Sequence, residues 1–239
     1  MRWIWLFLLA VSGLAAELPP GVDPVQLGQS LAEQLRSTAP SEAAEFTGVL
    51  KIRKPGFTNS VPIECRIDMR PGGWTVTYET KGGGNQPRQR LIIKHAPDKP
   101  NVYLYAEGKS EPRELARHEL NLPIAGSDFW LMDLGLDFLF WPQQRVTKLE
   151  MRLGRSCRIL ESRDPKPIAG GYARVLSWVD VETDGILMAE AYATGDEKPL
   201  KKFKVGSFKK VKGKYELQDM EIENPKAKTR TKLEFDLPK

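Results

Sequence analysis

Apolar and polar residues alternate with a period of two along most of the chain, which predicts a sheet protein. Phe46, Gly48, Leu50 and Ile52 are interleaved with polar or smaller residues. Ile63, Cys65, Ile67 and Met69 alternate with Glu64, Arg66 and Asp68, and Trp74, Val76 and Tyr78 repeat the pattern. Leu91 with Ile93, and Val102 with Leu104, carry it further. Pro71-Gly72-Gly73, Gly82-Gly83-Gly84-Asn85 and Pro97-Asp98-Lys99-Pro100 separate these runs with residues that turns favour. A second series, from VTKLEMRL to TKLEFDL, fills the C-terminal half, with Thr183-Asp184-Gly185, Thr194-Gly195-Asp196 and Lys212-Gly213-Lys214 as hairpin connections. The count is about ten to twelve strands in antiparallel meanders with one wet face. No linker parts the two series. The expected fold is mainly β: one continuous, strongly curved antiparallel sheet, one domain over residues 17–239.

Two segments break the alternation. In ELPPGVDPVQLGQSLAEQLRSTAP, Val25, Leu27, Leu31 and Leu35 recur at roughly helical spacing. Asp23 is the expected N-cap, Pro24 the first helical residue and Ser37 the approximate end. Such an amphipathic helix has to lie on something. The other segment is GSDFWLMDLGLDFLFWP, residues 126–142. Between Phe129 and Trp141 only Asp133, Gly135 and Asp137 are not large and apolar. Ser127 reads as an N-cap, Asp128 as a first-turn acid, and Asp133 and Asp137, four apart, as a face turned to water. Burying the ten apolar side chains from Phe129 to Trp141 is worth on the order of 15–30 kcal/mol as an upper bound.

That segment must cover something concave. Either it plugs the sheet permanently as core, or it closes a cavity for a lipid-like guest and moves when the guest arrives. A ~16-carbon chain transfers about 12 kcal/mol of apolar free energy, enough to replace part of the helix's burial. The inward alternation then gives the lining as Leu50, Ile63, Ile67, Val76 and Met151, facing Phe129, Trp130, Leu134, Phe138, Leu139 and Trp141.

Residues 1–16, MRWIWLFLLAVSGLAA, carry one early positive charge, an apolar run from Trp3 to Val11 and a small-residue end. The run is shorter than the roughly 20 residues that span a bilayer, so it reads as a cleaved export signal. The product is expected in the periplasm, or secreted if not retained there. In that oxidising setting Cys65 and Cys157 either form one disulfide, if their strands adjoin, or remain two buried thiols.

The net charge is +5. Export argues against nucleic acid as a partner, leaving anionic lipid surfaces or acidic protein patches. Eight lysines fall in KPLKKFKVGSFKKVKGK. On a strand they form either a solvated, edge-protecting face or, through Lys201, Lys202, Lys204, Lys209 and Lys210, a strip that docks on a membrane or partner. His95 and His118 are the only histidines and have no second ligand at metal spacing. No nucleophile elbow or phosphate loop occurs. The expectation is a protein without catalysis, metal or cofactor.

The order of GSDFWLMDL, CRILESR, YARVLSWVDVETDGILMAEAY, GDEKPLKKFKV and TKLEFDL resembles the LolA-like outer-membrane lipoprotein-sorting family. The matching positions are Gly126, Ser127, Asp128, Phe129 and Asp133, then Tyr172, Trp178 and Asp180, then Lys201, Lys202 and Lys204; residues 110–236 carry the match. The resemblance implies that the curved antiparallel sheet forms an incomplete, half-open β-barrel, with helices covering its concave face around an apolar cavity. It also implies carriage of lipoprotein acyl chains or a related lipid toward the outer membrane, with an inner-membrane transporter as a further partner. The chain has no lipid-attachment cysteine near its start, which points to a soluble carrier rather than an anchored receptor; a monomer is expected. The competing expectation is a structural or adhesin-like envelope protein whose hollow is filled by its own side chains.

Overall fold

The computed structural model describes residues 15–82, 87–211 and 214–237. The export signal expected over residues 1–16 therefore lies almost wholly outside the described residues, as do Gly83, Gly84, Lys212 and Gly213.

The first strands are β1 (Ala15–Ala16), β2 (Ala44–Lys54), β3 (Phe57–Arg70), β4 (Gly73–Thr80), β5 (Gln89–Ala96), β6 (Lys99–Glu107) and β7 (Arg113–Glu114). The second series is β8 (Gln143–Arg152), β9 (Arg155–Arg163), β10 (Arg174–Asp180), β11 (Ile186–Tyr192), β12 (Lys201–Val211), β13 (Lys214–Asn224) and β14 (Thr229–Phe235). They form one sheet in the order β1-β8-β9-β10-β11-β12-β13-β14-β2-β3-β4-β5-β6-β7. The two-residue strands β1 and β7 raise the count of described strands to fourteen. All pairings are antiparallel, and β1 and β7 lie at opposite open edges. The fold is thus mainly β, and the sheet is not closed into a barrel.

Pairing of β14 with β2, with Leu233 opposite Leu50, joins the two meanders. That order has a topological consequence. The chain leaves the first meander at one edge, on β7, and enters the second beside the other edge, on β8. The connection of residues 115–142 must therefore bridge the two ends of the sheet, and it is the apolar insert. Leu50, Ile52, Ile63, Leu91 and Ile93 from the first meander and Val146, Leu160, Val175, Ile222 and Leu233 from the second form one core with it.

The helix α1 spans Pro24–Ser37, and the Asp23 side chain accepts from the Val25 backbone N–H at 2.8 Å as its N-cap. Leu31 and Ala32 are buried. A Cβ on Gly28 would stand 2.3 Å from the Arg145 Cα, so only glycine allows α1 to press against β8. Val25, counted on the apolar face, is exposed.

Two expectations change here, and one open alternative closes. On β6 the inward residues are Asn101 and Tyr103, while Val102 and Leu104 are half-buried. That strand is apolar on both faces, which leaves alternation unable to set its phase. Met151, expected inside, is 48% exposed, because it lies near the tip of the β8–β9 hairpin. Cys65 and Cys157 are both free. Cys65 on β3 belongs to the main core, and Cys157 packs with Ile159 and Trp178 in a separate cluster. Their strands are not neighbours in the sheet, so no disulfide joins them.

Candidate functional site

The insert is not the single helix that its spacing suggests. After a 3-10 turn, η1 (Arg117–Glu119), the chain folds back on itself. The Ile124 N–H donates to the Phe129 carbonyl at 3.0 Å and the Leu131 N–H to the Leu122 carbonyl at 3.0 Å. A second 3-10 turn, η2 (Ile124–Gly126), contains Ala125 with φ 50° and ends at Ser127. Next come one α-turn, α2 (Leu131–Leu134), and a further 3-10 turn, η3 (Asp137–Phe140). Between these turns Leu136 adopts φ 49°, a left-handed conformation that costs a non-glycine residue about 1–2 kcal/mol. Gly135 forces the break. A Cβ there would stand 2.3 Å from the Tyr103 hydroxyl oxygen, and its carbonyl accepts from Asn101 Nδ2 at 2.7 Å.

Ser127 and Asp128 consequently start no helix. The Thr231 hydroxyl accepts from the Asp128 N–H at 2.9 Å and donates to its carboxylate at 2.8 Å, and Thr229 donates to the other oxygen. These bonds fasten the start of the segment to β14. Its far end is held by Gln144 Nε2, which donates to the carbonyls of Phe138 and Trp141, each at 2.9 Å. Arg36 of α1 donates to the Leu139 carbonyl at 3.3 Å.

Asp133 turns inward rather than to water. It accepts from the Trp130 N–H at 2.7 Å and stands 3.6 Å from Lys201 Nζ. Lys201, expected on the solvated face, is 3% exposed. Its ammonium donates to the Asp128 carbonyl at 2.5 Å and lies 3.5 Å from the centroid of the Trp130 ring, which itself stacks on Tyr172. Burial pushes Lys201 down to about 8, against the pull of Asp133 and Asp128. Burial likewise raises the Asp133 carboxyl, with Lys201 opposing.

Beneath this cluster is an apolar slot; the atom-free space in and around it, including the part open to solvent, is about 430 Å³. Leu136 and Phe138 of the insert line one side; Val175, Ile186, Ala189, Ala191, Phe203 and Ile222 of strands β10 to β13 line the other, with Asp133, Tyr172 and Lys201 at its polar end. Its gaps are narrow enough to hold only a few water-sized molecules. The slot exists because β11 places alanines at positions 189 and 191, where larger aliphatics would fill it.

Of the residues expected to line a cavity, only Phe138 lines this slot. Leu50, Ile63 and Val76 are buried in the main core, and Ile67 is half-buried against it. Phe129, Leu134 and Leu139 are buried in the same core, Trp130 is half-buried over Lys201, and Trp141 faces a second cleft. The sequence marks the lining from β10 to β13 only through the alternating Ala189 and Ala191 in ILMAEAY.

The other lysines lie among carboxylates. Lys202 is 3.4 Å from Glu190 and Lys204 3.1 Å from Glu221, while Lys209 donates to the Leu237 carbonyl at 2.8 Å. Lys210 is exposed. Arg230, Lys232 and Lys51 extend the cross-strand pairing to Glu221, Asp219 and Glu234. Among the described residues no three His, Cys, Asp or Glu side chains are placed to hold a metal, and no helix is long and apolar enough to cross a membrane.

An open antiparallel sheet, spanned by a strap over an apolar slot, defines the fold class, and solved proteins share it. A solved DUF1329 family protein from Desulfovibrio piger is similar at 18% identity and a TM-score of 0.72, covering 90% of this chain and 92% of that one. A domain named for outer-membrane lipoprotein sorting, from Vibrio parahaemolyticus, is similar at 16% identity and a TM-score of 0.71, with 89% and 92% covered. A LolA superfamily protein from Nitrosomonas europaea is similar at 16% identity and a TM-score of 0.56, with 91% and 96% covered. A family model described as an uncharacterized protein matches residues 85–239, and the chain belongs to that family. No curated protein sequence is significantly similar to it.

Proposed function

We propose that the protein is a non-catalytic periplasmic carrier that takes an acyl chain of a lipoprotein or related lipid into the slot under the insert. The observation that carries this reading is the apolar slot itself, closed by a strap fastened through polar contacts at its ends. A strap that were merely core would be expected to fill the space over Ala189 and Ala191. Because the slot is narrow as it stands, a chain is admitted only when residues 135–140 move outward. The left-handed Leu136 stores part of the free energy for that step. Kinship in fold with a domain named for lipoprotein sorting supports the same reading. Delivery toward the outer membrane, with a membrane transporter as donor, belongs to this proposal.

The test is uptake of a fluorescent fatty acid by the purified protein, together with native mass spectrometry after gentle isolation. Saturable one-to-one uptake, or co-purified lipid, is expected. A protein that is always empty and takes up no probe would instead be an envelope protein with a self-filled hollow.

A further inference from the structure

The insert has a second hollow on its other side. A solvent-open cleft with about 1050 Å³ of atom-free space lies between residues 137–142 and the 100–103, 114–120 and 164–166 segments. The two hollows are divided by the strap itself: Leu136 and Phe138 face the slot, while Asp137, Phe140 and Trp141 face the cleft.

The cleft has a polarity. At its inner wall is the Asp137 carboxylate, in no ion pair among the described residues; its Oδ1 accepts from the Tyr103 hydroxyl at 3.4 Å. Burial raises this carboxyl, and Trp141, Arg117 and Tyr103 oppose the rise. Tyr103 and Trp141 put aromatic surface beside the carboxylate. The opposite wall carries Arg117 and Lys166, with the carboxylates of Glu114 and Asp164 among them. Arg117 Nη1 donates to the Lys166 carbonyl at 2.6 Å while Nη2 pairs with Asp164, which fixes the guanidinium at the rim. Lys166 lines the same wall. A carboxylate beside aromatic surface is the chemistry that recognises an ammonium group. A fixed arginine with a lysine is the chemistry that recognises a phosphate.

We propose that this cleft binds the zwitterionic head of an aminophospholipid, its ammonium at Asp137 and its phosphate at Arg117 and Lys166, while the lipid's chain occupies the slot across the strap. This rests on the carrier reading and narrows its cargo: the head is chosen outside the strap and the chain is held inside. A lipid of this shape touches both faces of residues 136–141, so its binding drives the displacement that a bare chain would need.

The experiment displaces a bound fluorescent fatty acid from the full-length protein with three competitors. These are lysophosphatidylethanolamine, lysophosphatidylglycerol of the same chain length, and glycerophosphoethanolamine, which has no chain. The ethanolamine lysolipid is expected to displace the probe at about tenfold lower concentration than the glycerol one. In Asp137→Asn that ratio falls to about one. In Lys166→Gln, a surface change that leaves the strap intact, both phospholipids weaken together by several-fold relative to fatty acid. Equal potency of the two lysolipids on the unmodified protein overturns the head-group site while leaving the carrier standing. Displacement by glycerophosphoethanolamine as strong as by the lysolipid assigns the cleft to a soluble zwitterion and overturns the lipid source. Failure of the fatty acid probe to bind at all overturns the carrier reading, and this one with it.

Discussion

The ammonium of Lys201 lies 3.5 Å from the centroid of the Trp130 ring, where it joins the first residue of β12 to the strap. Its neighbours Asp133 and the Asp128 carbonyl belong to the strap as well. One cation thus holds three points of the cover over the slot. Lys201→Met is expected to destabilise the protein by about 3–5 kcal/mol, because it leaves the Asp133 carboxylate buried without its partner. Adding Asp133→Asn, which removes the charge and keeps an acceptor for the Trp130 N–H, should recover most of that loss. Urea titration of the single and double variants checks this; additive losses would show that the two groups do not act as a pair.

The same lysine sets a pH dependence. Its pKa is pushed from 10.5 in an exposed chain to about 8 in the fold. Between these values the unfolded chain binds a proton that the folded one does not, so the Lys201 contribution makes stability rise with pH across that window. Cys65, raised by burial from 9.0 to about 12, acts in the opposite sense above pH 9. The readout is therefore the difference between the parent and Lys201→Met. The parent should gain on the variant between pH 8 and pH 10, and a constant difference would contradict a depressed lysine.

Gly135→Ala is expected to destabilise by about 1–3 kcal/mol through overpacking, since its Cβ would stand 2.3 Å from the Tyr103 hydroxyl oxygen. Tyr103→Phe in the same chain should restore part of the loss by removing that oxygen. Thermal melts of the two variants decide it. Full stability of Gly135→Ala would mean that the strap shifts freely at this point.

Ala189→Leu places a larger side chain in the slot. Stability should hold or rise by about 0.5–2 kcal/mol, as cavity filling commonly gives, while fatty acid uptake falls at least tenfold. Ala191→Val is the milder version. Unchanged uptake in both would place the chain elsewhere.

Cys65 is buried on the main core and its thiol is pushed up to about 12, chiefly by burial. Both thiols should resist a maleimide in the folded protein and both should react after denaturation without reductant. A mass lower by two hydrogens, with no labelling, would instead reveal a disulfide.

The sequence by itself determined the strand content, because a half-buried antiparallel strand must alternate, and the limits of α1, because Asp23-Pro24 is a local capping signal. It also determined that residues 126–142 must cover an apolar concavity, since no soluble surface leaves so much hydrocarbon in water. Tertiary structure alone decided which concavity. Lys201 looks like its neighbours Lys202 and Lys204 in a basic run, yet only the pairing of β12 with β11 carries it under Trp130. The helix expected over the insert gave way at Gly135 because Tyr103, 32 residues away in sequence, stands against it. The slot lies over β10 to β13 rather than over Leu50, Ile63 and Val76, because the placing of two alanines on β11 sets where side chains fail to meet. These are relations between distant strands, and a local pattern carries no record of them.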